Sequence, residues 1–382
     1  MTNPFQYGGV VIGEAFCNRR RELRDLRRAF ESGEKLFVYS ERRLGKTSLV
    51  REALGKLPRS KFVAVYVDLW PTDSEASFDL ATAKAISLAA ETTARRILDT
   101  AKRLFSHFVP SVSVDEEGKP TISFGVVTPR KPELELEQVL EAPAVIAGQQ
   151  RRRVVVVFDE IQRILEFESD LVERKLRSVI QHQADVCYLF LGSRKHLVQE
   201  MFLGKSRPLY RSAGHYPLGP IHQQHWLGFI RERFRRAGKT IDDETIRSLC
   251  RLSEGHPFYT QHLCHALWEL CEPGARAGEE SIQDALRVLL ERESHAYTML
   301  WESLTTNQRR FLRGLALEEG GVKPFSAAFT RRYGLRSASN AQRAAEVLVE
   351  RDVIDPEDGS FLIVDRFFRL WIRTQENWTV AG

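Results

Sequence analysis

Residues 37–50 read FVYSERRLGKTSLV and place a Gly-Lys-Thr triplet shortly after an apolar run. The run KLFVY (35–39) combines aromatic and β-branched residues, which is typical of a buried parallel strand. The segment GKTSLVREAL (45–54) has the composition of a helix start. A strand, a tight turn and a helix N-terminus bring backbone N–H groups together around an anion. This stretch therefore predicts a phosphate-binding loop in a parallel α/β sheet.

The loop departs in one place from the pattern G-x-x-x-x-G-K-[ST], because Ser40 stands where the pattern begins with glycine. Serine is well tolerated where the turn only begins, whereas Gly45 occupies the point at which backbone and phosphate approach closely. Lys46 is expected to reach the β- and γ-phosphates of a nucleotide, and Thr47 to place its hydroxyl on Mg²⁺. The predicted nucleotide-binding residues form one run along the chain: Ser40, Glu41, Arg42, Arg43, Leu44, Gly45, Lys46, Thr47 and Ser48.

A second motif, RRRVVVVFDEIQRI (151–164), ends a run of four valines and a phenylalanine in two carboxylates. Acidic residues at the carboxyl end of a parallel strand face the crevice where ligands bind in open α/β sheets. Asp159 is expected to hold Mg²⁺, usually through water, and Glu160 to orient and deprotonate the attacking water. The competing interpretation is a solvated turn after a strand.

Two further apolar runs, KFVAVYVDLW (61–70) and DVCYLFLGSR (185–194), complete the predicted sheet. The second ends in Ser193 and Arg194, which we expect to contact the γ-phosphate. The alternative for Arg194 is that it caps a helix or pairs with an acid. Arg211 is a candidate arginine finger on this or a neighbouring subunit, because its planar charge matches phosphoryl oxygens. A plain surface arginine is the alternative there.

The bulk properties exclude several classes of protein. The 382 residues are enough for two or three domains, and 43% hydrophobic with 28% charged residues is ordinary for a globular chain. No apolar run approaches the roughly eighteen residues needed to cross a bilayer, and the N-terminus lacks the features of a signal peptide. Five cysteines without a C-x-x-C pair predict reduced, buried thiols in a cytoplasmic protein. The net charge of +5 permits nucleic-acid binding without requiring it.

These motifs resemble the archaeal-type P-loop ATPases of the STAND class, relatives of the AAA+ ATPases, and the resemblance covers nearly the whole chain. It rests on five stretches: NPFQYGGVVIGEAFCNRRRELRDL (3–26), SERRLGKTSL (40–49), VVVVFDEIQ (154–162), the strand-to-lid connection LGSRKHLVQEMF (191–202) with SRPLYRSAGHYPLGPI (206–221), and SEGHPFYTQHLCHAL (253–267). The family usually has glycine where this chain has Ser40. The resemblance implies ATP or ADP with Mg²⁺ as ligands, Arg19 near the adenine, and Gly255, His256 and Pro257 closing over the base.

The connecting segments predict an insertion and a lid. The stretch between Ser77 and Phe108 is helix-like throughout, and residues 111–126 alternate around an Asp-Glu-Glu-Gly turn, which predicts a β-hairpin insertion at about 109–128. That insertion is either a contact surface or a sheet extension without function. From residue 220 the pattern becomes helical and predicts a lid of about four helices. Its two histidine pairs lack the acidic or cysteine partners of a zinc site.

Residues 298–382 predict three helices followed by a β wing, the arrangement of a winged helix. The third helix, in SASNAQRAAEVLVERDVI (337–354), begins with a serine N-cap. If the domain binds DNA, this helix enters the major groove with five side chains exposed: Arg336, Ser339, Asn340, Gln342 and Arg343. Basic residues crowd 309–343 and acids crowd 346–358. DNA contact and a packing role that locks the ADP state, as the resemblance implies, therefore both stay open.

The sequence thus predicts an α/β P-loop NTPase core (1–219), an α-helical lid (220–297) and a winged helix (298–382). We expect a Mg²⁺-dependent ATPase that acts as a STAND-type regulatory switch, with a protein partner or self-association and no membrane. ATP would bind between core and lid, and hydrolysis through Glu160 would reset the switch. One alternative is a DNA-binding ATPase, an accessory factor of a mobile element or defence system. A further alternative is a scaffold that binds nucleotide without hydrolysing it.

Overall fold

The computed structural model describes residues 2–105, 108–116, 118–126, 132–318, 323–357 and 359–380. Internal contacts divide the chain into two units. The first, here called the sheet unit, comprises Arg19–Glu41 and Gly45–Gly219. The second, here called the helical unit, comprises Met1–Asn18, Arg42–Leu44 and Pro220–Gly382.

The elements of the sheet unit alternate between helices and strands. In chain order they are α1 (Arg20–Ser32), β1 (Lys35–Tyr39), α2 (Lys46–Gly55), β2 (Phe62–Asp68), α3 (Glu75–Ala90), α4 (Ala94–Leu104), β3 (Phe108–Val114), β4 (Pro120–Val126), α5 (Pro132–Gln150), β5 (Arg153–Asp159), α6 (Leu171–Ile180), β6 (Val186–Gly192), α7 (Lys195–Leu203) and β7 (Gly214–Pro217). A 3-10 helix, Ile161–Glu166, follows β5.

Five of these strands form one parallel sheet in the order β2-β5-β6-β1-β7. The four valines Val154 to Val157 lie in its central region and are fully buried, as are the residues of β6 paired with them. Because helices cover both faces of a parallel sheet, its strands are continuous apolar runs rather than alternating ones. The predicted α/β fold with a parallel sheet is confirmed.

Two parts of the sheet unit differ in detail from the sequence prediction. The helix expected from Ser77 to Phe108 is two helices, α3 and α4, because Glu91 adopts an extended conformation that ends α3. Two threonines follow it, and β-branched residues favour extended backbone over helix. Strands β3 and β4 pair as the antiparallel hairpin expected within 111–126, and the pairing begins at Phe108 rather than at 111.

The helical unit contains the remaining elements. These are α8 (Gln223–Arg236), β8 (Thr240–Ile241), α9 (Asp243–Ser253), α10 (Pro257–Leu270), β9 (Arg276–Ala277), α11 (Glu279–Glu302), α12 (Thr306–Leu317), α13 (Ala327–Arg332), α14 (Ala338–Glu350), β10 (Ile354–Glu357), β11 (Ser360–Ile363) and α15 (Arg366–Val380). Helices α12 to α14 and the β10–β11 hairpin form the winged helix. Helix α11 runs without a break through the predicted boundary at residue 298, since no cap residue interrupts it there.

Side-chain burial agrees with the cysteine prediction. Cys17, Cys187, Cys250, Cys264 and Cys271 are buried and free of disulfides. Burial raises the pKa of the Cys187 and Cys250 thiols to about 12. Within the ranges that the structure describes, none of the helices has the length and apolar character to cross a membrane.

Candidate functional site

The stretch predicted to bind phosphate joins the end of β1 to the start of α2. Gly45 caps the helix with a φ of 90°, a left-handed conformation that glycine adopts without steric cost. Lys46 begins the helix, and its ammonium donates to Oγ of Ser40 at 2.9 Å and to the carbonyl of Glu41 at 3.1 Å. Only 5% of Lys46 is exposed. A buried ammonium that already binds loop oxygens has the chemistry needed to bind phosphate oxygens instead.

The tip of the loop belongs to the helical unit. Within that unit, Arg42 donates to the carboxylate of Asp352 at 3.0 Å, and its carbonyl lies 3.1 Å from Nε2 of His256. Arg43 has a left-handed φ of 58°, and its guanidinium lies 4.5 Å from the ring centre of Phe258. Leu44 is buried. Two residues of the winged helix and lid, Asp352 and His256, thus contact the loop tip directly.

Thr47 and Asp159 meet at the carboxyl edge of the sheet. The threonine hydroxyl donates to Oδ2 of Asp159 at 2.7 Å, and the hydroxyl of Tyr66 donates to the same oxygen. Burial raises the pKa of Asp159, while the hydrogen bonds from Tyr66 and Thr47 oppose that rise. A hydroxyl and a carboxylate are the hard oxygen donors that Mg²⁺ prefers, so this pair fits the predicted metal site.

Glu160 lies beside this pair in a strained conformation. Its φ of 58° is left-handed, which is uncommon outside glycine and tends to occur at active sites. Two donors hold its side chain: Ser193 Oγ bonds to Oε2 at 2.7 Å, and the Gln162 amide donates to the same oxygen. The carboxylate therefore has a defined orientation at the ends of the neighbouring strands β5 and β6.

The two arginines predicted to contact the γ-phosphate have other partners. Arg194 precedes α7 and lies 3.6 Å from Oε1 of Glu166, which is the acid pairing considered as its alternative. Arg211 is exposed, has a φ of 52° and lies beside the ring of Tyr210. The catalytic assignments of Arg194 and Arg211 therefore remain predictions.

The adenine-side candidates occur in separate units. Arg19, in the sheet unit, is 4% exposed and pairs with Glu22 at 2.9 Å. Gly255, His256 and Pro257 lie in the helical unit where α9 gives way to α10, with Pro257 as the first residue of the helix. Gly255 has a φ of +65°, and a Cβ there would lie 2.5 Å from the carbonyl oxygen of Ile221. Only glycine fits that position. Ser48, the last loop candidate, is buried in α2.

The candidate DNA-contacting residues lie on or just before α14. Ser337 caps this helix by accepting a hydrogen bond from the Asn340 N–H, as its predicted N-cap role requires. The side chains of Arg336, Ser339, Gln342 and Arg343 are exposed, and Asn340 is half-buried. The helix therefore presents polar and basic groups to solvent.

Sequence reasoning missed two residues of the site. Tyr66 lies on β2, which pairs with β5 in register, and this pairing brings its hydroxyl to Asp159. The guanidinium of Arg51 lies 3.5 Å from the centre of the Tyr66 ring. Gln162 is 2% exposed although it is polar. The signal that could have found Gln162 is its position two residues after Glu160 in the second motif.

Two family models match parts of this chain. A family model described as an ATPase domain predominantly from Archaea matches residues 16–263, and one described as a probable winged helix domain matches residues 295–374. No curated protein sequence matches the chain.

Solved structures show the same fold at low sequence identity. A Walker-type ATPase of Pyrococcus abyssi is 16% identical over 97% of this chain and 99% of that chain, with a TM-score of 0.66. The ORC2 protein of Aeropyrum pernix in its ADP form is 15% identical over 98% of this chain and 97% of that chain, with a TM-score of 0.52. The same protein in its ADPNP–ADP complexes is 14% identical over 95% of this chain and 95% of that chain, with a TM-score of 0.51.

The matches cover the two parts of the chain that the sequence motifs distinguish. The ATPase model includes the phosphate-binding loop, both carboxylates and the segment around His256, and the second model includes α12 to α14 with the wing. Because the first model spans more than half of the 382 residues, this chain belongs to the family of ATPase domains found predominantly in Archaea.

Proposed function

We propose that this protein is an ATP-hydrolysing regulatory switch of the STAND class, whose conformation or assembly changes with the bound nucleotide. The observation that carries the proposal is the meeting of two sequence motifs at one sheet edge. Lys46 and Thr47 lie on one side, and Asp159 and Glu160 on the other, joined by the 2.7 Å bond between Thr47 and Asp159. Nucleotide in the ORC2 structures, which share this fold, supports ATP and ADP as ligands.

Each side chain then has a role that its contacts permit. Lys46 exchanges the oxygens of Ser40 and Glu41 for those of the β- and γ-phosphates. Thr47 and Asp159 would hold Mg²⁺, which supplies positive charge against the phosphates when bound. Glu160 accepts the proton of the attacking water, and Ser193 and Gln162 fix the direction of its carboxylate.

The remaining loop residues have proposed binding roles. Backbone N–H groups from Ser40 to Ser48 would surround the phosphates at the N-terminus of α2. Arg19, His256 and Pro257 would contact the base. Arg194 and Arg211 would report or stabilise the γ-phosphate after leaving the partners seen here.

The switch part of the proposal rests on the loop tip. Arg42 lies two residues after Ser40 and donates to Asp352 of the winged helix. A change in loop conformation on phosphate binding would alter this bond, and the loss of a partner shifts the population between two states. The released winged helix would then engage a protein partner or a second copy of the chain.

Steady-state ATP hydrolysis by the purified protein tests this proposal, with Glu160→Gln as the blank. The exposed Glu168 supplies the matched control, because Glu168→Gln makes the same chemical change outside the site. We expect hydrolysis to fall by about a hundredfold or more in Glu160→Gln and to be unchanged in Glu168→Gln. Equal rates in all three proteins would remove Glu160 from the base role.

A second candidate function is a DNA-binding ATPase. It is favoured by two exposed arginines: Arg336 lies just before the N-terminus of α14, and Arg343 lies in the second turn of this helix. The same assay, run with and without duplex DNA, separates the two. A several-fold rise in rate with DNA favours the DNA-binding ATPase. A low rate that is indifferent to DNA favours a switch that awaits a protein partner.

A further inference from the structure

A cavity of about 380 Å³ lies at the amino edge of the parallel sheet, opposite the edge that carries the loop and carboxylates. Its wall is formed by the C-terminal half of α1, the turn at residues 57–62 and the start of β5. Four of its lining residues are cations: Arg27, Lys61, Arg151 and Arg153. Glu31 is the one acid among the described residues that line it.

The cations of the cavity are poorly neutralised. Arg27 pairs with Glu31 at 3.1 Å. Both side chains are more than half exposed, so the attraction between these two charges is weak. No acid in the described part of the chain forms an ion pair with Lys61, Arg151 or Arg153. Three unpaired cations in one concavity repel one another, and an anion relieves that repulsion.

The surrounding backbone holds these cations in place. Arg152, between two of them, donates to the carbonyl of Arg59 at 2.8 Å and so ties the 57–62 turn to the start of β5. The Arg153 N–H donates to the carbonyl of Lys61 at 2.9 Å. One guanidinium nitrogen of Arg153 would lie 3.4 Å from a Cβ at Gly33, which places it at the end of α1.

Helix α1 continues the positive charge away from the cavity. Arg20 and Arg24 precede Arg27 at helical spacings of four and three, so all three lie on one face over about 10 Å. Arg20 and Arg24 are exposed, and neither has an acidic partner among the described residues. Arg20 also lies in the first turn, where the helix dipole disfavours a cation. Helix stability therefore does not explain its presence.

We infer that these six residues (Arg20, Arg24, Arg27, Lys61, Arg151 and Arg153), here called the basic surface, bind the sugar–phosphate backbone of nucleic acid without reading its sequence. A strand carries one phosphate per 3.4 Å of helix axis, so an extended row of cations matches it better than it matches a single anion. Five of the six are arginines, whose planar forks fit phosphate oxygens.

An acidic protein segment is the less favoured occupant, because protein interfaces centre on aromatic and large apolar side chains. The exposed large hydrophobic residues among those described lie elsewhere, and none belongs to α1, the 57–62 turn or residues 151–153. The inference does not depend on the nucleotide site, since the basic surface lies at the other edge of the sheet.

Fluorescence anisotropy with two labelled duplexes of unrelated sequence, without nucleotide, tests the inference over a range of salt concentrations. The test variant is the double reversal Arg24→Glu with Arg151→Glu. The matched control is Arg95→Glu with Arg96→Glu, two exposed arginines of α4 in the same unit. Both doubles change the net charge equally, and thermal melting checks that both are folded. The milder pair Arg24→Gln with Arg151→Gln replaces the test variant if it does not fold.

We expect wild type and control to bind both duplexes alike. The test variant should lose about tenfold or more in affinity, and the slope of log K against log salt should fall by about 2 in magnitude. Three results would overturn the inference: equal losses in both doubles, no loss in the test variant, or dependence on Arg336→Glu with Arg343→Glu alone. Tighter binding of polyglutamate than of DNA, lost in the test variant, would assign the surface to an acidic protein segment.

Discussion

The hydroxyl of Ser193 donates to the Glu160 carboxylate across two neighbouring strands, with 2.7 Å between the oxygens. Gln162 donates to the same carboxylate oxygen. A carboxylate with two fixed donors keeps one direction, and a general base must point at the water whose proton it takes.

Replacement of Ser193 by alanine should therefore lower kcat for ATP hydrolysis by about tenfold and leave KM unchanged, because a hydrogen bond to a charged group contributes about 1.5–3 kcal/mol. Steady-state rates over a range of ATP concentrations measure both parameters. Ser123→Ala in the hairpin is the control. A rise in KM with an unchanged kcat would show that Ser193 binds substrate and does not position Glu160.

Lys46→Ala should weaken ATP binding by at least about tenfold, since the variant lacks the charge-assisted donors to phosphate oxygens. Titration with a fluorescent ATP analogue measures the affinity. Lys56→Ala, just after the other end of α2, is the matched control, because Lys56 is exposed and its ammonium pairs with Glu52 of the same helix at 2.8 Å. Unchanged affinity in Lys46→Ala would contradict the proposed phosphate site.

Asp79 gives a pH dependence of stability. It is 5% exposed on α3, and its pKa is raised to about 8 by burial first, then by the charges of Glu135 and Glu75. The folded state then binds more protons than the unfolded state between about pH 4 and pH 8, so the free energy of unfolding falls as the pH rises through this range.

Asp79→Asn removes the titration and should melt a few degrees above the wild type at pH 9, with a smaller difference at pH 5. Thermal melting at the two pH values measures this. Glu173, whose pKa is raised to about 7, contributes in the same direction in both proteins and cancels in the comparison. A constant difference between the two proteins at both pH values would mean that Asp79 is already ionised in the folded state.

Gly255→Ala should destabilise the helical unit more than Gly274→Ala. Both glycines have left-handed φ values, +65° and +81°, so alanine is strained by about 1 kcal/mol or more at each. A Cβ at Gly255 would also meet the Ile221 carbonyl oxygen at 2.5 Å, whereas nothing lies within 4 Å at Gly274. Melting curves of the two variants give the comparison. Equal melting temperatures would show that the segment at Ile221 moves aside without cost.

The parts predictable from sequence were those in which a local pattern determines the geometry. The run of β-branched valines at 154–157 is typical of a buried strand, and a carboxylate after it falls at the same edge as a loop after β1. The contact of Tyr66 with Asp159 depends instead on strand order, because β2 pairs with β5 across eighty-odd residues of chain. The end of α3 at Glu91 is hard to predict because the surrounding composition is helical, and only the two threonines that follow favour extended backbone.

The distribution of the buried cysteines gives each unit its own chemical reporter. Cys187 is the single cysteine of the sheet unit, and the other four lie in the helical unit. A sulfur that is buried and held as the neutral thiol does not react with alkylating reagents. Each label therefore records a local opening, and the mass of the intact chain counts how many sulfurs have been reached. One added label, mapped to Cys187, would mean that the sheet unit had opened first, and four labels without it would mean that the N-terminal segment and the lid had opened first.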